Sequence, residues 1–464
     1  MKKAVNFLKN NLLLIIFALQ PVLDILAYAQ RDMSVSFAGG LRLALTVLIP
    51  AYALFFTKQR KKFIISMGII GLFCVLHVLN GFRVGYISLF ADVRYLLLVS
   101  HAVILCYSFM FLYEKEELVR QIKTAFLIII FTVTITYYLS YFLKSGNHTY
   151  IYSKIGWTGW SNTTSVYSVI VSLLFPFMVY FCVSAKKKWC LLFLPPLAFM
   201  YLMNGTKAAY LTLIFTLLAT AVFMVFEFII NRKDKFRLIV SCLLLVLMFL
   251  SVTYYNYSPR FDIDTLNNEN LENKEQILME EPTPEVEEIE QETVVNLIDK
   301  QMIERFGKKN VLKAYEGNKT AQGLSNNRLR KIVFGSLVWQ ETDALTKFVG
   351  FEHANMQLGE ENFDLESDLP AIYFYYGYIG AVLYGGMIIY FWLRLIKQLL
   401  FHFKESFNLF NFVIFMSYGL AMLAAGYTGH LLRRPNSAIY LAIILLLIYC
   451  RTEPLFKKRN TVGA

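Results

Sequence analysis

The sequence predicts an all-α polytopic membrane protein of about twelve transmembrane helices, with one large polar loop between the ninth and the tenth. Three observations predict it. Of 464 residues, 57% are hydrophobic and mean hydropathy is +0.49, well above a soluble globular composition. Apolar runs of about 20 residues recur, the length at which a helix crosses the hydrocarbon core. One long polar block, 258–368, interrupts them.

In order, the expected spans are 11–29, 37–57, 63–81, 88–112, 123–143, 163–184, 189–204, 207–230, 236–256, 369–393, 406–426 and 434–450. The chain divides accordingly into helices one to nine (1–257), the block (258–368) and helices ten to twelve with a tail (369–464). The apolar run after Met1-Lys2-Lys3 is long enough to span, and no small-residue cleavage site follows it, so it reads as a helix rather than a signal peptide. Alternate connections carry basic clusters: Lys2-Lys3, Lys58 with Arg60-Lys61-Lys62, Lys186-Lys187-Lys188, Arg232-Lys233 with Lys235 and Arg237, Arg394 with Lys397, and Lys457-Lys458-Arg459. Placed inside by the positive-inside rule, they put both termini in the cytoplasm and the block outside. The same bias accounts for the net charge of +12 without a nucleic-acid partner. All six cysteines lie in or beside apolar segments, which excludes a disulfide-stapled block or a cysteine zinc site in it.

Short outer ends should be poor in Lys and Arg, yet Arg31, Arg42, Arg83, Arg94, Lys207, Arg433 and Arg434 fall there. Arg42, Asp92 and Arg94 sit inside apolar runs, where an ionised side chain costs about 2.5–3.5 kcal/mol unless paired or hydrated. Two readings stay open. Asp92 and Arg94 form a structural salt bridge, with each other or a neighbour, or the cations converge on an anion at the outer leaflet. A diphosphate suits the second, because Arg offers it bidentate hydrogen bonds as well as charge. In Asn204-Gly-Thr-Lys207 the glycine lets the chain turn and Lys207 opens the next helix, where a cation opposes the dipole and calls for an anionic partner. In the outer connection 145–162, Tyr150, Tyr152, Trp157 and Trp160 can stack on sugar rings, although they read first as an interfacial aromatic belt.

The polar block changes character along its length. Residues 262–292 are acidic and carry two prolines, the composition of a flexible, solvated segment. Asp262-Ile-Asp264 looks like a metal-binding acidic triplet, but a nucleotide-sugar metal site is not expected on this side of the membrane. From Arg328, Leu329, Ile332, Val333 and Leu337 recur with helical spacing, with Arg328 and Lys331 together on the other face. A basic helix lying on headgroups has the same pattern. His353 follows, then Glu366 and Asp368 just before Pro370, which starts span ten. Acidic residues in a first turn also suit the helix dipole alone.

Together these residues resemble the O-antigen ligase and polymerase family of bacterial polysaccharide assembly. The resembling pieces are Asn204-Gly-Thr-Lys207-Ala-Ala, Ser325-Asn-Asn-Arg328 with Trp339 downstream, and Glu366-Ser-Asp368 followed by Gly377-Tyr-Ile-Gly380. The likeness is best over 200–215 and 322–385. Where ligases commonly carry His, this spacing puts Glu366, which leans toward polymerase-like members. The resemblance implies a glycosyltransferase-C-like membrane fold in the bacterial cytoplasmic membrane. The implied donor is an undecaprenyl-diphosphate-linked oligosaccharide and the acceptor a glycan hydroxyl, with no cofactor or metal. The implied general base is Glu366, then Asp368 and His353, with Arg328 also catalytic. Lys207 and Arg328, backed by Arg330, Arg42 and Arg94, bind the diphosphate; 323–368 is the catalytic part of the block. Polymerisation of lipid-linked repeat units is the first reading. The alternatives are ligase-type transfer of the finished glycan to an acceptor, or a lipid-linked polysaccharide flippase. Other polysaccharide-export proteins are the expected protein partners.

Overall fold

A computed structural model describes residues 2–31, 33, 36–161, 163–231, 235–279, 300–315 and 326–454, with the side chains of 2–9, 231 and 270–279 left aside. Gly323 and Ser325, the acidic run 280–288, Arg232 with Lys233, and Lys457-Lys458-Arg459 lie outside the described residues. Among those described, ten helices are long and apolar enough to cross a membrane, from Asn10–Ala29 to Leu409–Thr428. Two expected spans are shorter. Residues 189–204 form a tight turn of helix followed by Leu194–Asn204, bracketed by Pro195-Pro196 at its start and a left-handed Gly205 at its end. The last, Pro435–Arg451, is apolar and matches its expected bounds within one residue, starting at its proline.

The chain forms two compact units. The first, Met1–Met67 with Leu97–Asp262 and Met387–Ala464, is built around the Thr164–Ser184 helix, which is mostly buried and packs against Lys207–Asn231, Leu409–Leu423 and Pro435–Arg451. Arg394, expected in a basic loop, lies inside a helix that continues to Phe401. It is 1% exposed, and its guanidinium donates to the Tyr449 and Thr452 carbonyls and to Thr452 Oγ1. It thereby satisfies the last carbonyls of Pro435–Arg451, where a cation also complements the helix dipole. Trp157, read first as part of an interfacial aromatic belt and otherwise as a sugar-stacking residue, is buried and donates from its indole to Ser140 Oγ, whereas Tyr152 is fully exposed.

The second unit is Gly68–Leu96 with Ile263–Gly386. Residues 259–279 form a helix over the first part of the acidic segment 262–292, whose remainder lies outside the described residues. The Asn327–Glu341 helix starts where Asn326 accepts from the amides of Arg328 and Leu329. Its apolar face supplies the core: Phe334 stacks on Phe363 at 4.1 Å, and Trp339 packs against Phe351, Tyr373, Phe374 and Tyr378. Trp339 is therefore a core residue.

Two glycines let the polar block close on the Asp368–Phe401 helix. Gly377 takes φ +63° and ψ −165°, kinking that helix. The Phe374 carbonyl, which would otherwise bond four residues ahead, accepts from Phe351 N. Gly350, at φ +93° and ψ 168°, passes so close to the Tyr375 carbonyl that a Cβ would overlap it. Gly350→Ala should cost at least the about 1–3 kcal/mol of a glycine-only backbone conformation, plus the collision. Gly359→Ala, also at positive φ but facing only the flexible end of Gln301, should cost less. Melting temperatures of the two purified variants check the order.

Candidate functional site

Residues of the second unit gather into two polar clusters. In the first, Glu366 Oε2 accepts from Arg328 Nε at 2.8 Å and its Oε1 from Lys331 Nζ at 3.1 Å. The one-face spacing of Arg328 and Lys331 is what lets both reach the same carboxylate. Burial alone would raise the Glu366 carboxyl, but the hydrogen bonds and charges of Arg328 and Lys331 outweigh it and hold the group below its ordinary value. Glu366 is thus a paired carboxylate that orients Arg328, a poor proton acceptor. Arg330, three residues from the C-terminal side of Asn327, turns to Glu361, and its guanidinium lies over the Phe363 ring at 4.9 Å. Asp368, another expected acid–base residue, is fully buried at the start of its helix.

The second cluster surrounds His353. Its ring lies 4.4 Å from that of Tyr95 and 5.1 Å from that of Tyr375. Nε2 stands 3.3 Å from Asp364 Oδ1, close enough for charge attraction though too poorly aimed for a hydrogen bond. Tyr375 donates to the same oxygen at 2.9 Å. The side chain is 30% exposed, while Nε2 itself is buried against Asp364.

The segment leading to His353 is tied to helices 60–84 and 89–112 by a run of polar contacts. Arg83 pairs with Asp343 at 2.8 Å, and this hydrogen bond, first among its causes, holds the Asp343 carboxyl far below the usual range. His77 Nδ1 lies 2.8 Å from the Val349 carbonyl, and Tyr86 donates to the Gly350 carbonyl at 3.0 Å. Glu352 accepts from Ile87 N and Ser88 N, ahead of the Leu89 helix start. His353 N donates to Asp92 Oδ1 at 3.1 Å, and Asp92 Oδ2 meets His77 Nε2 at 2.6 Å. Asp92 is thus paired with a neighbour, His77, while Arg94 is exposed. Sequence reasoning missed His77, Asp364 and Tyr375. A histidine and an aspartate in adjacent apolar runs, each expensive alone, was the signal that pointed to the first.

The remaining expected cations belong to the first unit. Arg42 is 4% exposed; it donates to Asp24 at 2.7 Å and to Gln20 at 3.2 Å, a structural use of its charge. Lys207 is exposed at the first residue of its helix, after the left-handed Gly205. Among the described residues, no three His, Cys, Asp or Glu side chains gather as a metal site would need.

The family model for O-antigen ligase like membrane proteins matches residues 5–453. The chain belongs to this family. No curated protein matches it. Members of the O-antigen ligase family are multi-pass membrane proteins, and membership points to glycosyl transfer between a lipid-linked glycan donor and an acceptor. The description names ligase-like proteins, so it favours the ligase alternative over the polymerase reading that Glu366 suggested.

The Glu366 pairing gives a signed pH dependence. Its carboxyl is lowered in the folded state, so its stabilising link is complete above about pH 4.3, the ordinary glutamate value, and is lost as pH falls through the depressed one. The melting temperature of wild type should exceed that of Glu366→Gln at neutral pH, and the gap should close below about pH 4. Melting curves of both proteins from pH 3 to 8 check this.

Proposed function

We propose that the protein transfers a glycan from a polyprenyl diphosphate to an acceptor hydroxyl, at the outer face of a bacterial cytoplasmic membrane, in the manner of a ligase. The carrying observation is the His353 imidazole, partly exposed with its buried Nε2 set beside Asp364, while Glu366 is neutralised by two cations. An acceptor hydroxyl needs a group that takes a proton near neutral pH, and imidazole is suited to that. In this reading His353 accepts the hydroxyl proton as the oxygen attacks the anomeric carbon. The bond to the carrier breaks and its electrons leave with the diphosphate. Asp364 steadies the imidazolium, as a carboxylate does for a base whose charge grows during reaction.

Arg328 meets the leaving diphosphate, its plane fixed by Glu366 and Lys331 alongside. Arg42 is left out, since Asp24 and Gln20 engage it. Arg330 stays secondary: like Arg328 it is paired with a carboxylate, but it lies over Phe363 and is less exposed, 30% against 47%.

In cells lacking the wild-type gene, His353→Ala should lower transfer by about 10²–10⁴-fold, the usual worth of a general base. Long chains should then remain on lipid, unattached to their acceptor. Single repeat units accumulating on lipid would instead make the enzyme a polymerase. Normal surface polysaccharide with both His353→Ala and Arg328→Ala would remove these residues from the chemistry. Extraction of lipid-linked intermediates, with gel analysis of surface polysaccharide, reads all three outcomes.

A further inference from the structure

His77 and Asp92 take no direct part in that chemistry, yet both are buried at apolar depth, 0% and 5% exposed. His77 Nδ1 faces the Val349 carbonyl, which only accepts, so that nitrogen carries a proton. Nε2 faces Asp92 Oδ2, while Asp92 Oδ1 accepts from the backbone N–H of His353. One proton is thus shared between Nε2 and Oδ2 across 2.6 Å. Such a pair is an expensive way to join two membrane helices, since a buried ion pair often contributes no more than apolar residues of the same volume. Its contacts, however, do more than join helices. They grip the chain at residue 349 and again at residue 353, on either side of the glycine-only turn at Gly350.

We infer that Asp92 and His77 are positioning residues for His353, fixing the base's backbone and hence the place of its imidazole beside Asp364. The inference rests on His353 being the base. Misplacing a catalytic group by about 1 Å can cost about 10²-fold in rate, so a clamp on the base acts on kcat. Glu352 adds a third grip through Ile87 N and Ser88 N, but it holds the helix start rather than the histidine itself.

Asparagine at position 92 separates position from charge. Its carbonyl can still accept from His353 N, and its amide can donate to Nε2 of a His77 that is neutral and protonated at Nδ1. Alanine removes both contacts. The test uses the full-length protein in lipid nanodiscs, with lipid-linked glycan extracted from the producing cells as donor. Asp92→Asn should keep kcat within about three-fold of wild type, while Asp92→Ala should lose about ten-fold or more with the donor KM unchanged. Carbethoxylation of His353 by diethyl pyrocarbonate, followed by peptide mass spectrometry, should speed up severalfold in Asp92→Ala and not in Asp92→Asn. Wild-type kcat in Asp92→Ala, or equal losses in the two variants, would overturn the inference. If Asp92→Ala fails to give a monodisperse protein, His77→Gln takes its place: it keeps the contact to Asp92 and loses that to Val349. A smaller kcat loss at constant KM is expected, and wild-type kcat would again overturn the idea. His353→Ala run alongside separates the two claims. Full activity there sinks the base assignment itself, whereas an inactive His353→Ala beside a fully active Asp92→Ala sinks only the clamp.

Discussion

Between His77 Nε2 and Asp92 Oδ2 there are 2.6 Å, and neither side chain reaches solvent. An unpaired charge in that setting would be costly, and the pairing removes most of the cost while leaving each partner a second hydrogen bond to use. Both second bonds go to the polar block, at Val349 and at His353. Residues separated by 261 positions in sequence are thereby joined by a contact that tolerates little play. The geometry of the His353 cluster depends on it, together with the Gly350 turn that allows the chain to pass the Tyr375 carbonyl.

The other charges in apolar runs obey the same constraint. Arg42 lies against Asp24 and Gln20, and Arg394 closes the carbonyl end of Pro435–Arg451. A cation in a low-dielectric region signals a partner, and that partner is more often a carboxylate or a helix end than a ligand. The misplaced charges thus fall into two sets: Arg42 and Asp92 have structural partners, while Arg94 and Lys207 are exposed.

Glu366 and His353 show how pairing assigns chemical roles. Spacing before the Gly377-Tyr-Ile-Gly380 turn drew attention to Glu366, and the structure places two cations on it. A carboxylate so held anchors an arginine better than it accepts a proton. His353, thirteen residues earlier, stands beside a carboxylate instead, that of Asp364.

The sequence alone determined the helical membrane architecture, because hydropathy and span length are local properties that lipid enforces segment by segment. It located the helix from Arg328 and the shared face of Arg328 and Lys331, since helical periodicity acts over only a few residues; the Asn326 cap emerged from the structure. The short apolar segments expected at 189–204 and 434–450 are helices of about those bounds, shorter than the ten long ones. Only the tertiary structure decided which acid met which base. His77 with Asp92, Glu352 with the 87–88 amides, and Asp364 with His353 and Tyr375 are fixed by the packing of segments with no periodic relation to one another. Hydrogen bonds across such separations leave no local pattern in the chain.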